Sequence, residues 1–159
     1  MEREILFRGK ATNRDIGYHR TGYKNGDWVY GLVTRLYNEY FENLPAEMTN
    51  TAGVSGIEVD YKTVGQYTGL TDKNDRKIFE GDVVRLDNRS PKGSWTAVVE
   101  FGNPNGTYSW GYQPKRIDGD EGFNPDILLW IEMEETGATC EVIGNIHDNP
   151  EMLKGKQNV

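Results

Sequence analysis

Apolar and polar positions along this chain either alternate or gather into short blocks of strand length. Glu4-Ile5-Leu6-Phe7-Arg8-Gly9-Lys10 reads as a first strand ended by its glycine. Residues 11–26 are polar and turn-rich, and close on Asn25-Gly26. Both residues of that pair tolerate positive φ, so Asn-Gly ahead of an apolar run signals a hairpin. Trp28-Val29-Tyr30-Gly31-Leu32-Val33 is the returning strand, and its nearly continuous apolarity predicts burial on more than one side. Leu36, Tyr37, Tyr40, Phe41 and Leu44 have a helical spacing, but Asn38, Asn43 and Pro45 work against a helix. Irregular structure or a short helical turn is expected there. Thr49–Gly56 is small and polar and is expected to be a mobile loop, before Ile57–Tyr61 alternates as a half-exposed strand.

The middle of the chain has the densest turn grammar. Val64–Leu70 reads as a strand closing on Gly69, and Thr71–Asp75 as a tight turn whose Asp and Asn side chains bond their own backbone. Gly81-Asp82 is a turn leading into Val83–Leu86. Trp95–Phe101 is a strand, Gly102–Gly106 a turn, and Thr107–Tyr112 a second strand with aromatics on one face, giving an antiparallel hairpin. Gln113–Phe123 reads as a polar loop. Asn124-Pro125-Asp126 has the cap, proline and acid of a helix start, with Ile127, Leu128, Trp130 and Ile131 on one face; a strand is the alternative. Thr139–Ile146 is a last strand, and Asn149–Leu153 a capped helical turn. The expected class is mainly β: the short strands and tight turns of the C-terminal half suit a small closed or partly closed barrel, of which the SH3-like form is the common five-strand version.

Composition narrows the picture. The 159 residues are 36% hydrophobic, enough for a core, and nineteen glycines favour turns and short strands. No apolar run approaches the roughly 20 residues that span a bilayer, and the N-terminus lacks a signal-peptide stretch, so no membrane role is expected. A single cysteine, Cys140, makes no internal disulfide and fits a reducing cytoplasm. The net charge of −7 opposes nonspecific attraction to nucleic acid or anionic lipid. Ile117–Leu153 holds acids and no Lys or Arg, whereas the first 24 residues carry more bases than acids. That asymmetry reads as a solvated acidic face, or as a pairing of the two ends of neighbouring chains.

Catalytic and metal chemistry finds no foothold in the spacing. His19, His147 and Cys140 stand in separate segments. The runs beginning at Asp72 and Asp118 lack the glycine and glutamate of a calcium loop at their sixth and twelfth positions. There is no nucleophile elbow and no phosphate loop. Carboxylates such as Asp72 and Asp82 could meet in space, but Glu80 and Asp82 read first as turn formers. No catalytic residue, metal ligand or cofactor is assigned, and the protein is not expected to be an enzyme. The one candidate surface is aromatic. Trp95, Tyr108, Trp110 and Tyr112, with Lys92, Lys115 and Arg116 nearby, form either core packing or a platform for bases or a partner.

Several stretches together resemble the YopX family of phages and prophages. They are Val64–Leu70, Asp72-Lys73-Asn74, Ile78–Val84 and Glu141-Val142-Ile143-Gly144-Asn145-Ile146-His147-Asp148-Asn149-Pro150-Glu151-Met152-Leu153, with Arg3–Lys10 and Trp28–Gly31 besides. Where members commonly have Gly after the turn Asn, this chain has Asp75; where they commonly have Tyr, it has Phe79 and His147. The resemblance implies a fold that is α+β overall, with a smaller N-terminal α+β part over residues 1–70 and an SH3-like barrel over 71–159, and no known activity. The expected function is that of an accessory protein acting through protein contacts, as a homo-oligomer. A single-stranded nucleic-acid binder and an acidic decoy for a basic host DNA-binding protein are the alternatives.

Overall fold

Alternation of β-branched and aromatic residues with polar ones gives strands, and glycine, Asp and Asn set where they stop. The computed structural model describes residues 4–12, 21–36, 46–87, 93–102, 111–118, 131 and 137–154. Those residues form β1 (Phe7–Ala11), β2 (Trp28–Arg35), β3 (Ala46–Asn50), β4 (Ile57–Thr71), β5 (Lys77–Phe79), β6 (Asp82–Asp87), β7 (Ser94–Gly102), β8 (Gly111–Arg116) and β9 (Thr139–Asn145), then a 3-10 turn at Pro150–Leu153. The chain divides into two units, Met1–Tyr67 and Thr68–Val159. It is mainly β, in two antiparallel sheets.

In the first unit β1 pairs with β2, β2 with β3, β3 with β4, and β4 back with β1. Each of the four strands therefore has a neighbour on both sides. Val29, Ala46, Met48, Ile57 and Val59, all essentially inaccessible to solvent, fill the core between them. Gly9 does not end the first strand. It lies inside β1 because a side chain there would press on Met48 Sδ at 3.1 Å and Val59 Cγ2 at 3.2 Å. The Ile57–Tyr61 and Val64–Leu70 runs are one strand, not two. The β1–β4 register shifts between Arg8 and Lys10, and the Thr63 hydroxyl fills the irregularity: it accepts from Lys10 N at 2.8 Å and donates to Asp60 O at 2.6 Å.

Two further expectations change here. β3 occupies part of the stretch read as irregular. The Thr49–Gly56 segment is a bonded turn around Asn50, whose Oδ1 accepts from Ala52 N and Val54 N while its own N–H donates to Val54 O. Residues 37–45, with most of the spacing that suggested a helical turn, lie outside the described residues. The described part of this unit carries strands, so the α component of the expected class gains no support.

In the second unit the sheet order is β8-β7-β6-β9. Its core gathers Ile78, Val84, Leu86, Ala97, Val99 and Val142 around Cys140. β5 pairs with the end of β4, and Thr68 Oγ1 donates to Ile78 O at 2.8 Å. The turn at Gly81, φ 86°, leads into β6. Gln113–Arg116 is strand, not loop. Pro114 stands opposite Val99 on an edge strand, where the missing N–H of proline is tolerated, and Gln113 and Pro114 are buried. Of the expected helix at 124–131 only Ile131 is described; its backbone is helical and it packs on this core. Residues 103–110 also lie outside the described set.

Candidate interaction surface

Register decides where the predicted aromatics fall. Trp95 stands opposite Leu86, half-buried on the second core, with the Arg116 guanidinium 5.4 Å from its ring centre. Tyr112 stands opposite Phe101, ring centres 5.1 Å apart, and Phe101 is 61% exposed. Trp95 and Phe101 are six residues apart on one strand, about 20 Å at the usual rise per residue. Trp95 and Tyr112 therefore stand toward opposite ends of the sheet, and both pack against the second core. Tyr108, Trp110 and Lys92 lie outside the described residues. Lys115 sits 3.9 Å from Glu100, and Arg116 3.4 Å from Asp118, so each base is already beside an acid.

A different aromatic face emerges on the first unit. Val29, Gly31 and Val33 of β2 point inward, which turns Trp28, Tyr30 and Leu32 outward. Tyr30 is 40% and Leu32 51% exposed. Arg8 and Lys10 stand opposite Tyr30 and Trp28 on β1. The Arg8 guanidinium, itself buried, lies 4.6 Å, and Lys10 Nζ 5.2 Å, from the Trp28 ring centre, each contact worth about 0.5–2 kcal/mol. The run Trp28–Val33 is thus buried on one side only. Its signal in the sequence was two interleaved apolar rows, one of which contains a glycine and needs no partner sheet.

The acids of the middle turns serve backbone. Asp72 Oδ1 accepts from Asn74 N at 2.8 Å and Arg76 N at 2.9 Å, and Asp72 Oδ2 from Val142 N at 2.9 Å. Asp82 Oδ2 accepts from Phe79 N at 2.8 Å, across the Gly81 turn. Both carboxylates are buried. Burial pushes the Cys140 thiol up to about 12, and the negative charges of Asp72 and Asp82 add to the shift. On the surface, the hydrogen bond from Lys73, 2.9 Å away, holds the Glu141 carboxyl below its ordinary range. Among the described residues no three His, Cys, Asp or Glu side chains gather as metal ligands, and no helix is long and apolar enough to cross a membrane.

The C-terminal motif is built the same way. Asn145 Oδ1 accepts from His147 N and Asp148 N, while its Nδ2 donates to Asp148 Oδ2. Asn149 was expected to cap the last turn. Its Oδ1 instead accepts from Asn145 N at 3.2 Å, and no side-chain cap is made. Gly144 leaves room for that: a Cβ there would lie 2.5 Å from Asn149 Oδ1 and 3.0 Å from Met152 Sδ.

The YopX protein family model matches residues 21–154. The chain belongs to the YopX family. No curated protein matches it. Among solved structures it is similar to protein EF1440 from Enterococcus faecalis, at 22% identity and a TM-score of 0.49, over 96% of this chain and 99% of that one. In this YopX chain the motif residues Asp72, Gly81, Asp82, Gly144, Asn145 and Asn149 are accounted for by turn and backbone geometry. Asp75 follows Asn74 where the resemblance expects glycine, and it is the one described non-glycine residue with positive φ, at 61°. The turn demands a left-handed residue, and Asp is among the few that tolerate it.

Proposed function

We propose that this YopX protein is a non-enzymatic accessory protein of a phage or prophage, acting in the bacterial cytoplasm through protein contacts, first of all with a second copy of itself. The observation that carries the reading is the outward row Trp28-Tyr30-Leu32, flanked by Lys10 and underlaid by the buried Arg8, on a strand whose inward row already fills a core. Exposed Tyr beside a partly exposed Trp is the composition of interface hot spots. The second copy supplies the complementary charge, because Ile117–Leu153 carries acids and no Lys or Arg. For the second unit, the four antiparallel strands support the SH3-like small barrel as part of the same proposal.

The strand-binding alternative has less behind it. Trp95 and Tyr112 lie far apart, their neighbouring bases face carboxylates, and the net charge is −7. The decoy alternative rests on that charge alone. Sedimentation velocity over a micromolar concentration series tests the proposal, with association rising with concentration as the expected result. A strict monomer throughout overturns it. Tryptophan fluorescence that responds to a single-stranded oligonucleotide at low salt would move the reading to nucleic acid.

A further inference from the structure

The row Trp28-Tyr30-Leu32 is bordered by a base on one side and an acid on the other. On β1, Lys10 stands opposite Trp28, its Nζ 5.2 Å from the ring centre. On β3, Ala46 and Met48 point into the core, which turns Glu47 outward, half-buried. The β4 residue opposite Glu47 is Glu58, turned outward in the same way by Ile57 and Val59. Like charges directly opposite one another destabilise a sheet. Glu58 is held: its Oε1 accepts from Thr12 Oγ1 at 2.7 Å. Among the described residues no ion pair or hydrogen bond reaches the Glu47 carboxylate, and the bond from Thr34 Oγ1, at 3.2 Å, goes to the Glu47 backbone carbonyl.

Lys10 and Glu47 are placed symmetrically about Gly31. Lys10 is level with Trp28, three residues back along β2, and Glu47 is level with Arg35, four residues on, where the bulge between Val33 and Arg35 takes up one. At the usual rise each lies about 10 Å from Gly31 along the strand, and each is one strand to the side, in opposite directions. A two-fold axis in the contact plane over Gly31, perpendicular to the line from Lys10 to Glu47, exchanges the two positions. Given association through this row, as proposed above, we infer that the second copy docks face to face across such an axis, with Lys10 of each copy on Glu47 of the other. A two-fold interface must be self-complementary, and this face is. Its centre is apolar, and its ends match in both signs, since Asp60 stands opposite Lys10 and Arg35 opposite Glu47. The half-buried Glu47, with Glu58 opposite it, gains a base.

Sedimentation velocity on the full chain tests the pairing. Lys10→Glu sets a glutamate against Glu47 across the axis, and Glu47→Lys sets a lysine against Lys10. Each makes both contacts of the dimer repulsive and should weaken self-association about tenfold or more. Mixed in equal amounts, the two variants should associate with each other as wild type does with itself, because every contact is again lysine on glutamate. Glu47→Lys puts a base opposite Glu58 in its own sheet, so this variant should fold. If Lys10→Glu unfolds, Lys10→Gln and Glu47→Gln decide: each should weaken association, and the double variant should lose no more than the larger single loss, whereas additive losses overturn the pairing. Reversals that leave association unchanged overturn the inference, as does a mixture that stays monomeric. An effect of Lys10→Glu with none of Glu47→Lys overturns it too, and assigns Lys10 to another acid, such as one in the Ile117–Leu153 run. In these cases the reading of the row stands so long as Leu32→Glu abolishes association. A monomeric wild type, or a Leu32→Glu protein that associates, refutes that reading and the inference with it.

Discussion

Replacing Gly31 by alanine should break the surface proposed here by breaking the strand that presents it. A Cβ at position 31 would lie 1.9 Å from the Thr49 carbonyl oxygen, and 2.8 Å from both Thr49 C and Asn50 Cα. All three are backbone atoms, so no side chain can swing aside. Carbon needs about 3.5 Å or more to sit comfortably, so β3 must retreat by about 1.5 Å or part from β2. β3 holds Ala46 and Met48, both inaccessible to solvent in the first core. Displacing Met48 alone is comparable to truncating it, about 2–5 kcal/mol. Against a total stability of about 5–15 kcal/mol, that is a large loss. Urea unfolding should show a midpoint shifted by that amount, with hydrogen exchange accelerated first at Met48 and Asn50. Gly22→Ala is the control: its φ is 81° but nothing lies within 4 Å of a Cβ there, so its cost should be only about 1 kcal/mol, from backbone conformation. A Gly31→Ala protein within 0.5 kcal/mol or so of wild type would refute the packing argument.

Other predictions concern the second unit. Asp75→Gly should be neutral or stabilising by up to about 1 kcal/mol, and Asp75→Val destabilising by more than about 1 kcal/mol, in the same urea assay; equal effects would mean that the positive φ carries no cost. Cys140 should resist a thiol reagent at pH 8 until urea is added. Because its folded pKa is raised, the folded state holds its proton longer than the unfolded state, so stability should fall by about 1.4 kcal/mol per pH unit between the ordinary thiol range and about 12. A flat alkaline limb that reappears unchanged in Cys140→Ala would contradict this. Glu141 has a lowered pKa, so its pairing with Lys73 helps above the ordinary carboxylate range and is lost as pH falls through the folded value. An NMR titration should show the Glu141 pKa rising toward normal in Lys73→Met and in high salt.

Legibility followed how locally each element is encoded. β7 and β9 concentrate β-branched and apolar residues in one short run each, and the Asp72 turn carries its own acceptors, so all three were readable from short windows. β3 was not, because Ala46 and Met48 are its only buried positions and one of them is small, while the helical spacing just before it is louder. β8 escaped because Gln113, Pro114, Lys115 and Arg116 look like a loop, and only pairing with β7 makes them strand. β4 was divided in two by its polar centre, where Thr63 repairs the register through contacts 53 residues away in sequence. Side-chain facing is likewise set by register and not by residue type. Trp95 and Tyr112 fall at different register positions of one sheet and both pack on its core, while Tyr30 and Leu32 looked buried but stand on the outward row of β2.

The most direct test of the proposed contact surface is sedimentation velocity on wild type, Leu32→Glu and Phe101→Glu at matched micromolar concentrations. Leu32 and Phe101 are similarly exposed, at 51% and 61%, but belong to different units. Wild type and Phe101→Glu should associate alike while Leu32→Glu sediments as a monomer. Association undiminished in Leu32→Glu, or a monomeric wild type, would contradict the assignment of the β1–β2 face as the surface through which the protein works.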